Sequence, residues 1–151
     1  MSGFLLDVNV LVALFWPAHE HHEAAQAWFA KKSRIGWATT PMTQAGFVRI
    51  VSNPAFSRDA VTPSEAVHYL AANLQHRHHR FWPDNVSVPD AVQPLLPRLF
   101  GHRQVTDAYL LGVVAANQGK FATFDAGARE LLAAQAERDA LIELIPRTAP
   151  A

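Results

Sequence analysis

The chain has 151 residues, half of them hydrophobic and 17% charged, and its 13 basic and 13 acidic side chains give a formal net charge of zero. This length fits one domain with one core, and the charge balance excludes nucleic-acid binding through bulk positive charge. The absence of cysteine excludes disulfides and thiolate metal sites and favours the cytoplasm. We expect neither a secretion signal nor a membrane span, because Asp7 interrupts the first apolar run and that run is short.

The chain opens with an apolar strand signal followed by an acid. Phe4-Leu5-Leu6 predicts a short strand buried on both faces, and Asp7 stands at its carboxyl end. An apolar helix follows, which Pro17 ends, and a second helix is predicted from about His19 to Lys32.

A second strand is predicted over residues 35–39, followed by a clear helix start. Thr40 is a capping residue and Pro41 suits the first helical position, so a helix is predicted over about residues 41–51. Gln44 lies in its first turns, on the stripe that also carries Phe47.

The later elements alternate between helical and strand patterns. In chain order we predict a helix opened by Thr62 to Glu65, a strand at Phe81-Trp82 and a proline-containing loop over 88–98 with at most short helical turns. An apolar helix from Thr106 to Asn117, a strand over 120–124, a helix over 128–136 and a strand over 141–145 follow.

Strands alternating with helices predict a three-layer α/β/α fold around a mostly parallel sheet of four to five short strands. In such sheets ligands bind outside the carboxyl ends of the strands. Asp7 and Asp125 each follow a predicted strand, and Gln44 and Asp107 each lie in the first turns of a predicted helix. We therefore expect all four side chains to line one edge of the sheet.

Three carboxylates at one edge, with no neighbouring histidine or cysteine, favour a hard divalent cation. Mg²⁺ and Mn²⁺ prefer oxygen ligands, and Mg²⁺ commonly combines one or two carboxylates with waters and substrate phosphates. Such a site suits attack of an activated water on a phosphodiester.

Four ordered blocks of this sequence resemble PIN-domain ribonucleases, and most of all the VapC toxins of bacterial VapBC (type II) toxin–antitoxin pairs. The blocks are Leu5-Leu6-Asp7-Val8-Asn9-Val10-Leu11, Thr40-Pro41-Met42-Thr43-Gln44-Ala45-Gly46-Phe47-Val48-Arg49, Thr106-Asp107-Ala108-Tyr109-Leu110 and Ala122-Thr123-Phe124-Asp125. The resemblance covers about residues 5–145 and implies a single PIN-like domain over 1–151, with 146–151 as a flexible tail.

The resemblance implies a Mg²⁺- or Mn²⁺-dependent endoribonuclease that hydrolyses RNA, commonly dimerises and is held inactive by a cognate VapB-type antitoxin. By position, the candidate catalytic residues are Asp7, Asp107, Asp125 and Gln44, and the three aspartates would hold the metal. Asn9 and Thr106 fall on flanking positions that orient ligands or water, and Thr123 falls on a position where a hydroxyl supports the site.

Gln44 departs from the family pattern, in which this position is usually a glutamate. A glutamine keeps the shape and one oxygen but removes a negative charge, so we expect weaker metal binding, with Gln44 still contacting a metal-bound water. The alternative is a catalytically weak or inactive PIN-like module that binds RNA or a protein. A Rossmann-like nucleotide binder is disfavoured, since no glycine-rich loop follows the first strand.

The candidate RNA contacts are five scattered basic residues, Arg49, Arg77, Arg80, Arg103 and Lys120. Arg49, late on the helix that carries Gln44, is the first choice as a phosphate partner or a structural partner. Arg77 and Arg80 stand beside Phe81 and Trp82, which either stack on single-stranded RNA or belong to the core. The eight histidines are interpreted as structural, since none shows the His-Glu-x-x-His spacing of a zinc site.

Overall fold

The computed structural model describes residues 1–150 and contains five short strands and seven helices within them. The strands are β1 (Phe4–Leu6), β2 (Trp37–Thr39), β3 (His79–Phe81), β4 (Lys120–Thr123) and β5 (Ile142–Leu144). The helices are α1 (Val8–Phe15), α2 (His22–Lys32), α3 (Pro41–Val51), α4 (Pro63–Asn73), α5 (Val88–Val92), α6 (Val105–Ala116) and α7 (Gln135–Leu141). Short 3-10 segments cover Ser33–Ile35, Gln93–Arg98, His102–Gln104 and Ala126–Leu131.

The five strands form one parallel sheet in the order β3-β2-β1-β4-β5. The chain builds the sheet outward from β1 to β3 and then returns to place β4 on the other side of β1. This reversal is the switch point of the sheet. It leaves a crevice at the carboxyl ends of β1 and β4, and open α/β sheets bind ligands in such a crevice. Leu6 of β1 is paired with Ala122 of β4, so the residues that follow each of them emerge side by side into this crevice.

Helices cover both faces of the sheet. Phe4 and Leu6 of β1 point into a core shared with α1, α2, α3 and α4, whereas Leu5 points into a second core shared with α5 and α6. Alternate residues of a strand face opposite sides, so an entirely apolar strand is what a doubly covered sheet requires. The predicted three-layer α/β/α fold is confirmed.

Most element predictions agree with the structure, and the differences have local causes. The helix predicted from His19 starts at His22, because residues 18–21 form turns. The third strand is His79–Phe81 rather than Phe81-Trp82. The helix predicted over 128–136 is wrong: a 3-10 segment ends at Leu131, and α7 begins only at Gln135.

No helix within residues 1–150 is both long enough and apolar enough to cross a membrane. The tail expected at 146–151 includes Ala151, which lies outside the described residues. Within the described part, the backbone carbonyl of Arg147 lies 3.2 Å from Nδ1 of His21.

Candidate active site

Asp7 lies where β1 passes into α1 and is held at both carboxylate oxygens. Its Oδ1 accepts a hydrogen bond of 2.7 Å from the backbone N–H of Val8, which caps α1. Its Oδ2 accepts a hydrogen bond of 2.7 Å from the hydroxyl of Thr123, the last residue of β4. The pairing of Leu6 with Ala122 brings these two side chains together, so strand register fixes the orientation of Asp7.

Thr123 connects three of the predicted site residues. While its hydroxyl donates to Asp7, its oxygen accepts from the backbone N–H of Asp125 at 3.0 Å and lies 3.5 Å from Nδ2 of Asn9. A hydroxyl has one proton and two lone pairs, so the Thr123 hydroxyl is fully used. Since its side chain is completely buried, these contacts form a fixed base beneath the crevice.

Asp107 approaches the crevice from the first turn of α6. Burial, reinforced by the neighbouring charges of Asp7 and Asp125, raises the pKa of Asp107 to about 7. Burial also raises the pKa of Asp7, and the charge of Asp125 adds to this increase, while hydrogen bonds from Thr123 and Val8 oppose it. The three aspartates thus lie close enough to repel one another electrostatically.

Asp125 lies on the exposed side of the same group. Because β4 ends at Thr123, Asp125 is the second residue beyond the strand rather than the first. Its Oδ1 accepts a 2.8 Å hydrogen bond from the backbone N–H of Gly127. This contact fixes the carboxylate at the start of the 3-10 segment and leaves its other oxygen available.

Gln44 lies in the first turns of α3, whose start is held by a capping box between Thr40 and Thr43. Its Nε2 donates a 2.9 Å hydrogen bond to the hydroxyl oxygen of Thr39, the last residue of β2. The amide therefore stands at the carboxyl end of the strand next to β1, on the edge where the sequence places it. Thr39 was not among the predicted site residues, although its position at a strand end is the signal that would have found it.

An open groove of about 690 Å³ lies between α3 and the start of α6. Arg49 and Thr106 line it, together with Val8, the residue after Asp7. Asp84 also lines the groove, and its Oδ2 accepts a 3.1 Å hydrogen bond from the backbone N–H of Met42. The groove thus holds one arginine, together with Val8 and Thr106, the chain neighbours of Asp7 and Asp107.

The other predicted RNA contacts lie in different parts of the fold. Arg103 is exposed in the 3-10 segment that leads into α6 and so lies near Asp107 in the chain. Arg77 precedes β3, and Lys120 begins β4, which places both toward the amino edge of the sheet. The side chain of Arg80 lies near Gly36, which precedes β2, so it too faces away from the carboxyl edge. Phe81 is 53% exposed, whereas Trp82 is 6% exposed and belongs to the core.

The residues present fit a hard cation by their chemistry. The groups around the crevice are carboxylates, hydroxyls and amides, all of which offer oxygen, the donor that Mg²⁺ and Mn²⁺ prefer. The buried Oδ1 of Asn9 has no hydrogen-bond partner within the protein, so it is an oxygen available to a water or an ion. Within residues 1–150, no three His, Asp or Glu side chains converge as a ready-made metal cage. A Mg²⁺ site needs only one or two direct carboxylates and holds the rest of its shell as water.

Comparison with known proteins shows the family of this chain. The family model described as "PIN domain" matches residues 4–137. The chain is 48% identical over 122 residues to "Ribonuclease VapC39" of Mycobacterium tuberculosis, a match that covers 81% of this chain and 88% of that protein. It is 45% identical over 123 residues to "Ribonuclease VapC38", covering 82% and 85% of the two chains, and 43% identical over 121 residues to "Ribonuclease VapC44", covering 80% and 84%, both of the same organism. With the α/β/α fold and an acidic crevice at its switch point, these matches show that the chain belongs to the PIN domain family and, within it, to the VapC group.

Proposed function

We propose that the protein is a Mg²⁺- or Mn²⁺-dependent endoribonuclease and the toxin of a type II toxin–antitoxin pair. The observation that carries this proposal is the group of three aspartates at the switch point of the sheet, where Asp7 and Asp125 help to raise the pKa of Asp107 to about 7. Mutual repulsion of this kind is relieved by a bound cation. The relatives named ribonuclease support RNA as the substrate.

Each residue of the crevice has a distinct proposed role. Asp7, Asp107 and Asp125 hold the metal, and the Thr123 hydroxyl keeps the Asp7 carboxylate in place. When bound, Mg²⁺ or Mn²⁺ would supply a Lewis acid that activates water and stabilises charge on the leaving oxygen. The unpaired Oδ1 of Asn9 offers a further oxygen to the hydrated shell.

The groove beside the aspartates is the proposed path of the RNA backbone. Arg49 and Thr106 line it, so a cation and a hydroxyl are available to a phosphate next to the cleaved bond. Arg103 is exposed ahead of α6 and extends the basic character of this edge. Arg77 and Arg80 remain proposed contacts for more distant parts of a longer RNA.

The partners proposed for this chain follow from its membership of the VapC group. They are an RNA substrate, a cognate VapB-type antitoxin and a second copy of the chain, all in the cytoplasm. Co-expression with the product of a small neighbouring reading frame is expected to relieve growth arrest caused by the toxin. Persistence of the arrest with every neighbouring gene product would contradict the pairing.

The catalytic proposal is tested by removing charge without removing shape. Asp7→Asn retains an oxygen to cap α1, and Asp107→Asn keeps the side-chain volume, yet both reduce the negative charge available to the metal. We expect each to lower Mn²⁺-dependent RNA cleavage to background in a gel assay, and EDTA to do the same to the unaltered protein. Asp90→Asn, at an exposed position on α5, is the matched control and should cleave normally. Full activity of Asp107→Asn would refute the proposal.

The second candidate is a PIN-like module that binds RNA or a protein without cutting. The observation in its favour is Gln44, which brings an uncharged amide to the edge and commits its nitrogen to Thr39. RNA binding that persists with saturating Mn²⁺ and no cleavage would favour this module. RNA breakdown that EDTA stops would exclude it.

A further inference from the structure

A fully buried hydroxyl connects Gln44 to a histidine outside the family motif. Thr39 Oγ1 lies 2.9 Å from Nε2 of Gln44 and 2.8 Å from Nε2 of His79. The Thr39 side chain is 0% exposed, so water does not compete for these contacts. Gln44, Thr39 and His79 form what we term the amide–hydroxyl–imidazole chain, which runs from α3 across β2 to β3.

The number of protons in the amide–hydroxyl–imidazole chain determines the direction of each of its hydrogen bonds. Burial lowers the pKa of His79 and the charge of His76 adds to this, whereas a hydrogen bond to the backbone of Leu74 raises it. The amide nitrogen of Gln44 donates to the Thr39 hydroxyl oxygen, so the single hydroxyl proton of Thr39 is directed at Nε2 of His79. A neutral His79 therefore carries its ring proton on Nδ1.

A neutral His79 protonated at Nδ1 presents a lone pair at Nε2. The single proton of the Thr39 hydroxyl is then donated to His79, and the hydroxyl oxygen can only accept from Gln44. This agrees with the amide nitrogen of Gln44, which faces Thr39. Its carbonyl oxygen, on the opposite side of the amide group, is directed away from Thr39.

We propose that Thr39 and His79 are positioning residues that fix the orientation of the Gln44 amide and select glutamine over glutamate at position 44. The order of hydrogen bonds stands independently of the proposed ribonuclease activity. The consequence for the metal rests on that activity, because it assigns the Gln44 carbonyl oxygen to a metal-bound water.

A glutamate at position 44 would conflict with this arrangement. Both of its carboxylate oxygens are acceptors, so neither can donate to Thr39. The Thr39 proton would turn toward the carboxylate and leave its oxygen facing the lone pair of His79. A proton on Nε2 of His79, gained by protonation of the ring or by a change of tautomer, restores the hydrogen bond. The conflict therefore couples residue 44 to the protonation of His79.

The first experiment determines which ring nitrogen of His79 carries the proton. In ¹⁵N-histidine-labelled protein without metal, long-range ¹H–¹⁵N spectra at neutral pH should show His79 protonated at Nδ1 alone. The charged and titratable neighbour to monitor is His76, whose ring contacts Trp37 as the His79 ring does. Finding the proton of His79 on Nε2 would overturn the proposal, and this measurement requires no substitution.

The second experiment tests the coupling by substitution. Gln44→Glu should shift the titration of His79 upward and leave that of His76 in place, and Thr39→Val in the same background should abolish the shift. Thr39→Ser, which keeps the hydroxyl, should restore it. An unshifted His79 in folded Gln44→Glu protein would contradict the selection of glutamine.

The third experiment tests whether the orientation of the Gln44 amide affects metal binding. Thr39→Val and His79→Phe should each weaken Mn²⁺ binding several-fold in a titration followed by electron paramagnetic resonance. Thr39→Ser and His76→Phe, the matched controls, should not. If the unaltered protein neither binds Mn²⁺ nor cleaves RNA, the proposed function fails while the histidine spectra still decide the hydrogen-bond order. Unchanged Mn²⁺ binding in Thr39→Val, with cleavage intact, would refute the positioning role alone.

Discussion

The protonation of Asp107 depends on the other charged groups of the crevice. Burial and the charges of Asp7 and Asp125 raise the pKa of Asp107 from its ordinary value of 3.8 to about 7. In the metal-free protein the folded state therefore retains a proton that the unfolded chain has released. The stability that depends on this proton is fully present below about pH 4 and is lost as the pH rises through about 7.

The raised pKa of Asp107 predicts how replacing this residue changes the stability of the metal-free protein. Asp107→Asn should be more stable than the unaltered chain at about pH 8, where Asp107 is charged, and the advantage should shrink at about pH 5. Urea unfolding in EDTA at the two pH values measures the difference. Asp90→Asn, at an exposed position on α5, is the matched control. An equal effect of Asp107→Asn at both pH values would contradict the assignment.

Thr123 shows how one small side chain organises acidic neighbours. It donates to Asp7, accepts from the backbone of Asp125 and lies beside Asn9. Thr39 occupies the equivalent place at the end of β2, where it serves Gln44. In both cases a buried strand-terminal threonine fixes a side chain that the resemblance assigns to catalysis.

At the scale of elements, the position of Asp107 depends on close packing between α5 and α6. Gly112 of α6 faces Ala91 of α5, and a Cβ at Gly112 would lie 2.5 Å from both the Cβ and the backbone oxygen of Ala91. Backbone cannot move aside as a flexible side chain does. The helix that carries Asp107 is thus set at a distance that only glycine permits.

Gly112→Ala is therefore expected to destabilise the protein. Overpacking typically costs about 1–3 kcal/mol, which exceeds the ~0.5–1 kcal/mol that alanine gains over glycine inside a helix. Urea unfolding should give a net loss, and cleavage should fall because α6 shifts. Gly101→Ala is the matched control, because no atom lies within 4 Å of its added Cβ. A stabilised Gly112→Ala protein would show that α5 and α6 separate freely.

The start of α3 is also held by more than its own residues. Thr40 and Thr43 form a capping box, and Asp84, from the loop after β3, accepts a hydrogen bond from the backbone of Met42. A capping box uses two of the free N–H groups of a helix start, and Asp84 supplies an acceptor for a third. The element that carries Gln44 and Arg49 is thus fixed from two directions.

For the whole molecule, zero formal net charge implies that RNA affinity comes from a few local cations. Each phosphate contact on a single strand contributes about 0.7 to the slope of log affinity against log salt. Arg49 lines the groove beside the aspartates, whereas Arg77 lies toward the amino edge of the sheet. These positions predict unequal effects on binding.

Arg49→Gln should weaken binding of a short labelled single-stranded RNA and reduce the salt slope by about 0.7. Arg77→Gln should change neither quantity for a short RNA. Fluorescence anisotropy over a salt series in EDTA, in the Asp107→Asn background, measures binding without cleavage. A larger effect of Arg77→Gln than of Arg49→Gln would move the RNA path to the other edge of the sheet.

The sequence alone determined the fold class, the family and the edge of the sheet on which the aspartates meet. It could do so because these follow from local signals: an apolar strand, a capping threonine, a proline at a helix start and an acid at a strand end. The prediction of one helix over 128–136 was wrong. The composition of this segment suits a helix, but in the structure the helical backbone is interrupted between Leu131 and Gln135.

Tertiary structure alone decided how the side chains at that edge are paired. Strand register set Thr123 against Asp7, and the neighbouring strands β2 and β3 set Thr39 against His79. These partners lie 116 and 40 residues apart in the chain, so no local pattern specifies them. The sequence identified Gln44 as a departure from the family, and only the folded structure showed the buried hydroxyl and imidazole that orient its amide.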